Sequence, residues 1–257
     1  MPVLETSCDQ GVLTLRMTRP EALNALNDAL RDALVQAIAT ADADPGVRVV
    51  VLRGSPRAFS AGGDVKGMGG RDANGWTAGL KNLRRLIEHV VGSTKPVVAA
   101  VEGLAVGSGF SLAMACDLLV ASETARFRMM FIERGLVPDG GASYFLPRQV
   151  GLHRAKEMAL SGRYIEAREA YELGLVTRLW PEQHFEAELA GLLRDLASRP
   201  TLAAGITKRL MNRTFESDLS TALELETLGQ VVAGASFDHA ESLDALASRR
   251  APRFEGR

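Results

Sequence analysis

Two glycine-rich segments of this chain could place backbone N–H groups around a single carbonyl oxygen. The first is AFSAGGD, residues 58–64, and the second is EGLAVGSGFSLAMAC, residues 102–116. Glycine lets a ligand approach the backbone closely, and the start of a helix carries N–H groups that lack an intrahelical acceptor. One N–H group from each segment would form an oxyanion hole for an enolate. Taken alone, each segment is also typical of a structural turn.

One carboxylate lies in a place suited to proton transfer. Asp139 belongs to VPDGGASYFLP, residues 137–147, where it follows a proline and precedes two glycines. A single desolvated carboxylate can act as a general base, because burial raises its basicity. The alternative is structural: Asp139 would be the N-cap of a helix over residues 142–150.

The elements that must position these groups are strands followed by helices. Continuous apolar runs predict strands at residues 47–53 and 96–101, each directly before a glycine-rich segment. The remaining predicted strands are 12–18, 118–121 and 175–180. The predicted helices are about 24–40, 76–91 and 111–116. Residues 67–75 are rich in glycine and predict the most mobile segment.

The character of the sequence changes after residue 161, where three or four helices follow the last strand. We therefore predict a spiral α/β core over residues 1–195 and a helical C-terminal region over residues 196–257. No low-complexity linker separates them.

Composition indicates a compact soluble protein. Of the 257 residues, 46% are hydrophobic, and 30 Lys and Arg nearly balance 31 Asp and Glu. This balance argues against binding to nucleic acid or to an acidic membrane surface. Cys8 and Cys116 are too few and too different in setting to predict a disulfide, and the N-terminus carries acids where a signal peptide has bases. We expect a cytoplasmic protein without a membrane span and without a metal site.

Three motifs occur in a characteristic order: AFSAGGD at 58–64, AVGSGFSLAMACD at 105–117 and GLVPDGG at 135–141. Together they resemble the enoyl-CoA hydratase/isomerase, or crotonase, superfamily. The similarity extends from RPEALNAL at 19–26 to RRAPRF at 249–254. It implies a crotonase (ClpP-like) spiral of ββα units with a helical C-terminal region that forms homotrimers or hexamers. It also implies an acyl-CoA thioester substrate and no cofactor, since coenzyme A is part of the substrate.

The resemblance assigns the oxyanion donors residue by residue. They are the backbone N–H groups of Gly63 and Ser108, and serine at the second position departs from the usual glycine. Hydratases of the family use two glutamates, which would fall at Ser111 and Phe131 in this chain. Both carboxylates are therefore missing, and Glu133 is expected to be a solvated charge. Asp139 instead matches the acidic residue of the enoyl-CoA isomerases and of the ring-opening isomerases that resemble phenylacetate-pathway enzymes.

The resemblance also implies a set of substrate-binding residues. Coenzyme A is expected to lie along backbone loops, with its phosphates near Arg19, Lys66 and an Arg253 from a neighbouring subunit. Asp64 is expected to be mainly structural. The predicted substrate-binding residues are Leu23, Ala61, Asp64, Val65, Lys66, Leu104, Phe131, Leu136 and Arg253.

The resulting prediction is an enoyl-CoA isomerase that uses Asp139 as its base. Alternatives are a hydratase-like lyase of non-standard mechanism, a decarboxylase and a non-catalytic acyl-CoA-binding protein. An aryl-CoA dehalogenase is disfavoured, because the tryptophan of those enzymes falls where this chain has Phe131.

Overall fold

The computed structural model describes residues 2–67 and 69–257. The predicted mobile segment includes Met68, which lies outside the described residues. In chain order the described strands are β1 (Leu4–Asp9), β2 (Val12–Met17), β3 (Val49–Arg53), β4 (Ala58–Ser60), β5 (Val97–Val101), β6 (Leu104–Val106), β7 (Leu118–Ser122), β8 (Arg126–Arg128), β9 (Tyr164–Glu166) and β10 (Arg178–Trp180). The described helices are α1 (Asp28–Ala43), α2 (Ala73–Gly92), α3 (Ser108–Ala115), α4 (Ala142–Val150), α5 (Leu152–Ser161), α6 (Ala167–Glu172), α7 (Phe185–Ala197), α8 (Thr201–Asn212), α9 (Leu219–Gly234) and α10 (Phe237–Ala247).

The strands form two sheets, and from β3 to β8 successive strands alternate between them. The larger sheet has the order β1-β2-β3-β5-β7-β10, and the smaller sheet has the order β4-β6-β8-β9. The pairs β1–β2 and β8–β9 are antiparallel, and the other pairs are parallel. Thus β3-β4-α2, β5-β6-α3 and β7-β8-α4 are three successive ββα units, which confirms the predicted spiral.

The central strands are buried on both faces, which explains their uninterrupted apolar sequences. In β3, Val50 and Leu52 belong to the core cluster that includes α1, α2 and α3. Val49 and Val51 point the other way and pack with Phe185 and other residues of α7.

Helix α1 begins at Asp28, so the prediction of a helix from residue 24 is wrong at its start. Asn24 has a left-handed φ of 56° and is fully buried. Its Nδ2 donates to the carbonyl of Ala58 at 2.9 Å, and its Oδ1 accepts from the N–H of Arg19 at 2.9 Å. Asn24 therefore ties the segment before α1 to β4, and Asn27 caps the helix by accepting from Leu30 N at 2.9 Å.

The C-terminal helices follow the last strand, as predicted. Helix α7 covers one face of the larger sheet, and α8 is anchored by Lys208, whose Nζ lies 2.8 Å from Oδ2 of Asp117. Helix α9 contains no buried residue. The domain division at residue 195 and the oligomeric state stay predictions. Among the described residues, no helix is long and apolar enough to span a bilayer.

Candidate active site

The two glycine-rich segments pack directly against each other. Gly62 has a φ of 93°, and a Cβ atom there would lie 2.6 Å from the carbonyl oxygen of Val106. A Cβ atom at Gly109 would lie 2.6 Å from Cβ of Ser60. Both distances are too short for a side chain, so glycine is required at both positions for the loops to meet.

The contact brings the first loop next to Ser108, since a Cβ atom at Gly62 would lie 3.4 Å from the backbone N of Ser108. Leu26 N donates to Gly62 O at 2.7 Å, which fixes the first loop next to the start of α1. Ser108 is the first residue of α3, so its N–H has no acceptor within the helix. Among the described residues, neither the Gly63 N–H nor the Ser108 N–H donates to a protein acceptor. Both N–H groups are therefore available to a ligand.

The Asp139 carboxylate lies beside the second of these groups. Its Oδ1 accepts a hydrogen bond of 2.7 Å from Oγ of Ser108. Burial raises the pKa of Asp139 above its ordinary value, although the Ser108 hydrogen bond and the positive charge of Arg31 act in the opposite direction. A half-buried carboxylate with a raised pKa is suited to accept a proton.

Asp139 is not the N-cap of the following helix, so that structural alternative is wrong. Helix α4 begins at Ala142 as predicted, but Gly141 occupies the cap position and no side chain caps the helix. The main-chain carbonyl of Asp139 accepts from Ala142 N at 3.1 Å. This contact leaves the carboxylate free to reach Ser108 on α3.

The positions of the two hydratase glutamates are filled by buried groups. The hydroxyl of Ser111 donates to Gly107 O at 3.2 Å. Ser111 also packs closely against Gly140, where an added Cβ atom would lie 2.9 Å from Cβ of Ser111. Phe131 is 6% exposed. Glu133 forms an ion pair with Arg128, and its side chain is 45% exposed. Neither position therefore supplies a carboxylate, and Glu133 is held by a cation at the protein surface.

Several predicted substrate-binding residues lie along the edge of the first loop. Ala61 N donates to Leu23 O at 2.9 Å, so these two residues are adjacent. Asp64 is 2.7 Å from Arg19, and this hydrogen bond lowers the pKa of Asp64. The next two residues, Val65 and Lys66, are exposed in a short 3₁₀ turn.

Three other predicted residues are placed differently. Leu104 begins β6, and Leu136 packs against the core with its N–H bonded to Phe131 O at 3.0 Å. Arg253 is exposed in the C-terminal tail, where its N–H donates to Oε1 of Glu241 on α10 at 2.6 Å. The structure does not join Arg253 to either glycine loop, and its role in the site of a neighbouring subunit stays a prediction.

Two clefts adjoin this group of residues. One, of about 500 Å³, lies between α2 and the turn after Asp139, and its walls include Leu80, Leu83 and Ile87. The other, of about 410 Å³, is polar and contains Arg31 and Arg71. Sequence reasoning did not single out these arginines. One signal was available in the sequence: Arg31 directly follows Leu30, so it lies next to the apolar stripe of α1.

Comparison with known proteins identifies the class. Residues 7–257 match the family described as enoyl-CoA hydratase/isomerase. The chain belongs to this family, has the crotonase fold and is an acyl-CoA-acting enzyme of that superfamily.

Named relatives differ in the reaction they catalyse. The chain is 33% identical to the 1,2-epoxyphenylacetyl-CoA isomerase of Escherichia coli K12, with all of both chains covered. It is 35% identical to the 2,3-dehydroadipyl-CoA hydratase of the same organism, again over the full length of both. A crystal structure of an enoyl-CoA hydratase from Bacillus anthracis superimposes with a TM-score of 0.95 at 29% identity, covering 99% of this chain and 100% of the other.

Proposed function

We propose that this enzyme shifts the double bond of a 3-enoyl-CoA to the 2-position, with Asp139 as the base. The observation that carries the proposal is the 2.7 Å hydrogen bond between Ser108 Oγ and Asp139 Oδ1. It places one carboxylate next to a free backbone N–H, while the two hydratase positions hold serine and phenylalanine.

The reaction requires one group that takes and returns a proton. Asp139 removes a proton from Cα of the 3-enoyl thioester, and the electrons move to the thioester oxygen to give a dienolate. The N–H groups of Gly63 and Ser108 stabilise the negative oxygen. Asp139 then returns the same proton to Cγ, and the double bond lies between Cα and Cβ. No atom is gained or lost.

The surroundings of Asp139 support this role. Burial raises its pKa and so strengthens it as a base, whereas Ser108 and Arg31 favour its ionised form. The buried side chains of Met129 and Phe131 precede it along the chain and contribute to the adjacent core. The relative named as an isomerase supports the proposal, and the relatives named as hydratases support the alternative of a hydratase-like reaction through Asp139.

The test is the ultraviolet absorbance of a 3-enoyl-CoA as it becomes conjugated, measured for the wild type, Asp139→Asn and Glu133→Gln. Hydration of a 2-enoyl-CoA is measured in parallel. We expect conjugation in the wild type, a loss of about 10²–10⁴-fold in Asp139→Asn and little change in Glu133→Gln. Glu133 is the matched control because it is an acidic residue two positions after Phe131, where hydratases of the family have their second glutamate.

Two outcomes contradict the proposal. Efficient hydration by the wild type would favour the hydratase-like alternative. Binding of acyl-CoA without either reaction, unchanged in Asp139→Asn, would indicate a non-catalytic binding protein.

A further inference from the structure

A polar cleft of about 410 Å³ opens between α1 and the segment that follows the first glycine loop. Leu26 and Asp64 both line it. Leu26 forms a backbone bridge with Gly63, and Asp64 follows Gly63 directly. The cleft therefore begins beside one of the two N–H groups proposed to hold the thioester oxygen. The basic residues of its lining are Arg31, Lys66 and Arg71.

Arg31 is an unusual residue for the buried side of a helix. It is 7% exposed, and its Nη1 donates to the carbonyl of Gly79 at 3.0 Å. The nearby carboxylate of Asp28 lies 3.5 Å away and is 58% exposed. Nε of Arg31 is buried and has no hydrogen-bond partner among the described residues. A cation so far removed from water is stabilised by a facing anion.

Arg71 precedes α2, and its side chain contacts the same point of that helix. A Cβ atom at Gly79 would be 2.6 Å from Nη1 of Arg71, so this guanidinium contacts the residue whose carbonyl accepts from Arg31. The charge of Arg71 acts to lower the pKa of Arg31, as expected for like charges close together. Two neighbouring guanidinium groups form a site that an anion would stabilise.

The position of these arginines identifies which part of a substrate they can meet. The Asp139 carboxylate acts to raise the pKa of Arg31, so the guanidinium is within electrostatic reach of the proposed base. In an acyl-CoA, the pantetheine arm separates the phosphates from the thioester. The proposed base acts on Cα, which lies on the acyl side of the thioester. Gly140, next to that base, packs against Leu83, and Arg31 binds Gly79 one turn earlier on α2, so Arg31 faces the acyl part.

We propose that Arg31 and Arg71 form a subsite for a carboxylate at the far end of the acyl chain, so that the preferred substrates are CoA esters of dicarboxylic acids. Guanidinium groups match the geometry of a carboxylate and hold it by charge-assisted hydrogen bonds. The inference rests on the proposed function, because it takes the thioester carbonyl to be held by Gly63 and Ser108.

Calorimetric titration with saturated esters tests the subsite without turnover. The probes are adipyl-CoA and hexanoyl-CoA, which have the same chain length and differ in the terminal carboxylate. The proteins are the wild type, Arg71→Met and Arg154→Met, the last removing an exposed arginine of α5 that does not line the cleft. We expect the wild type to bind adipyl-CoA about tenfold tighter than hexanoyl-CoA, which is the effect of one charged hydrogen bond.

Arg71→Met is expected to abolish this preference and to leave hexanoyl-CoA binding unchanged, while Arg154→Met keeps the preference. Equal binding of the two esters by the wild type would overturn the subsite. An equal loss for both esters in Arg71→Met would also overturn it, because Arg71 would then contact the CoA phosphates. A preference for adipyl-CoA in an enzyme that does not isomerise a 3-enoyl-CoA would support the subsite and reject the proposed reaction alone.

Discussion

The hydroxyl of Ser108 donates to Asp139 across 2.7 Å, while the main-chain N–H of the same residue is the first free donor of α3. One residue thus faces two groups of the proposed reaction. Its N–H is available to the thioester oxygen, and its O–H orients the base. The serine at a position where the family usually has glycine therefore links the proposed oxyanion hole to the proposed base.

This link predicts a change in the pH profile of Ser108→Ala. The hydroxyl lowers the pKa of Asp139, so its removal raises that pKa further above the ordinary value. The base must be ionised to act, and activity is lost as pH falls through its pKa. We expect the acid limb of the kcat/KM profile to move to higher pH, with a loss of about tenfold on that limb.

Ser111→Ala is the matched control for this experiment. Ser111 lies on the same helix and donates its hydroxyl to Gly107 O at 3.2 Å instead of to Asp139. Its pH profile is expected to match that of the wild type. Identical profiles for the Ser108 and Ser111 variants would show that the hydroxyl of Ser108 does not control the base.

The raised pKa of Asp139 also predicts a stability effect. A carboxyl with a raised folded-state pKa binds more protons in the folded than in the unfolded protein, so its ionisation destabilises the fold as pH rises. Asp139→Asn is therefore expected to be more stable than the wild type at neutral pH. Each kcal/mol relieved raises the Tm of a protein of this size by about 2–4 °C.

Thermal unfolding at several pH values checks this prediction. The difference in Tm should shrink as the pH falls from the raised folded-state pKa towards the unfolded-state pKa, below which Asp139 is protonated in both states. A variant that is less stable than the wild type at neutral pH would contradict the raised pKa.

The sequence predicted the longer strands that are buried on both faces and missed the short strands of the smaller sheet. Strands β3 and β5 were recognisable because both faces are buried and every residue of the run is apolar or packed. Strands β4, β6 and β8 have three residues each, too few to show a period, although they build the second sheet.

The candidate site shows the same division. Gly63, Ser108 and Asp139 belong to motifs with a fixed order, so the resemblance to a family could locate them. The contact of Asp139 with α3 instead of α4 depends on the path of the turn at Gly140, which has a φ of 59°. The meeting of Arg31 and Arg71 at Gly79 of α2 depends on tertiary packing that no local pattern contains.

Close packing of the glycine loops predicts that Gly109→Ala is destabilising. Alanine usually stabilises a helix relative to glycine by about 0.8–1.0 kcal/mol. At Gly109, however, the new methyl group would lie 2.6 Å from both Cβ and the carbonyl oxygen of Ser60. We expect a loss of about 1–3 kcal/mol in the free energy of unfolding, together with reduced isomerisation because the loops must separate.

Gly191→Ala is the control, measured by urea unfolding under the same conditions. Gly191 lies inside α7, and a Cβ atom there would meet nothing within 4 Å. The same substitution should therefore stabilise the protein slightly. If both variants are stabilised, the contact between the two glycine loops is looser than the structure shows.

A last prediction concerns the buried ion pair that attaches α8. Lys208 Nζ lies 2.8 Å from Asp117 Oδ2 and also donates to Val90 O at 2.9 Å. The carboxylate of Asp117 in turn accepts from Val97 N at 2.7 Å. This network joins the C-terminal helices to α2 and to the larger sheet.

Lys208→Met leaves the Asp117 carboxylate and the Val90 carbonyl without their cation, so we expect it to cost about 3–5 kcal/mol in the free energy of unfolding. The control is Arg84→Met, which breaks an exposed pair with Glu88 on α2 and should cost about 0.5 kcal/mol or less. Urea unfolding distinguishes the two. Adding Asp117→Asn to Lys208→Met should recover part of the loss, because the unpaired buried charge is removed. No recovery would show that the ion pair with Asp117 is not what stabilises α8.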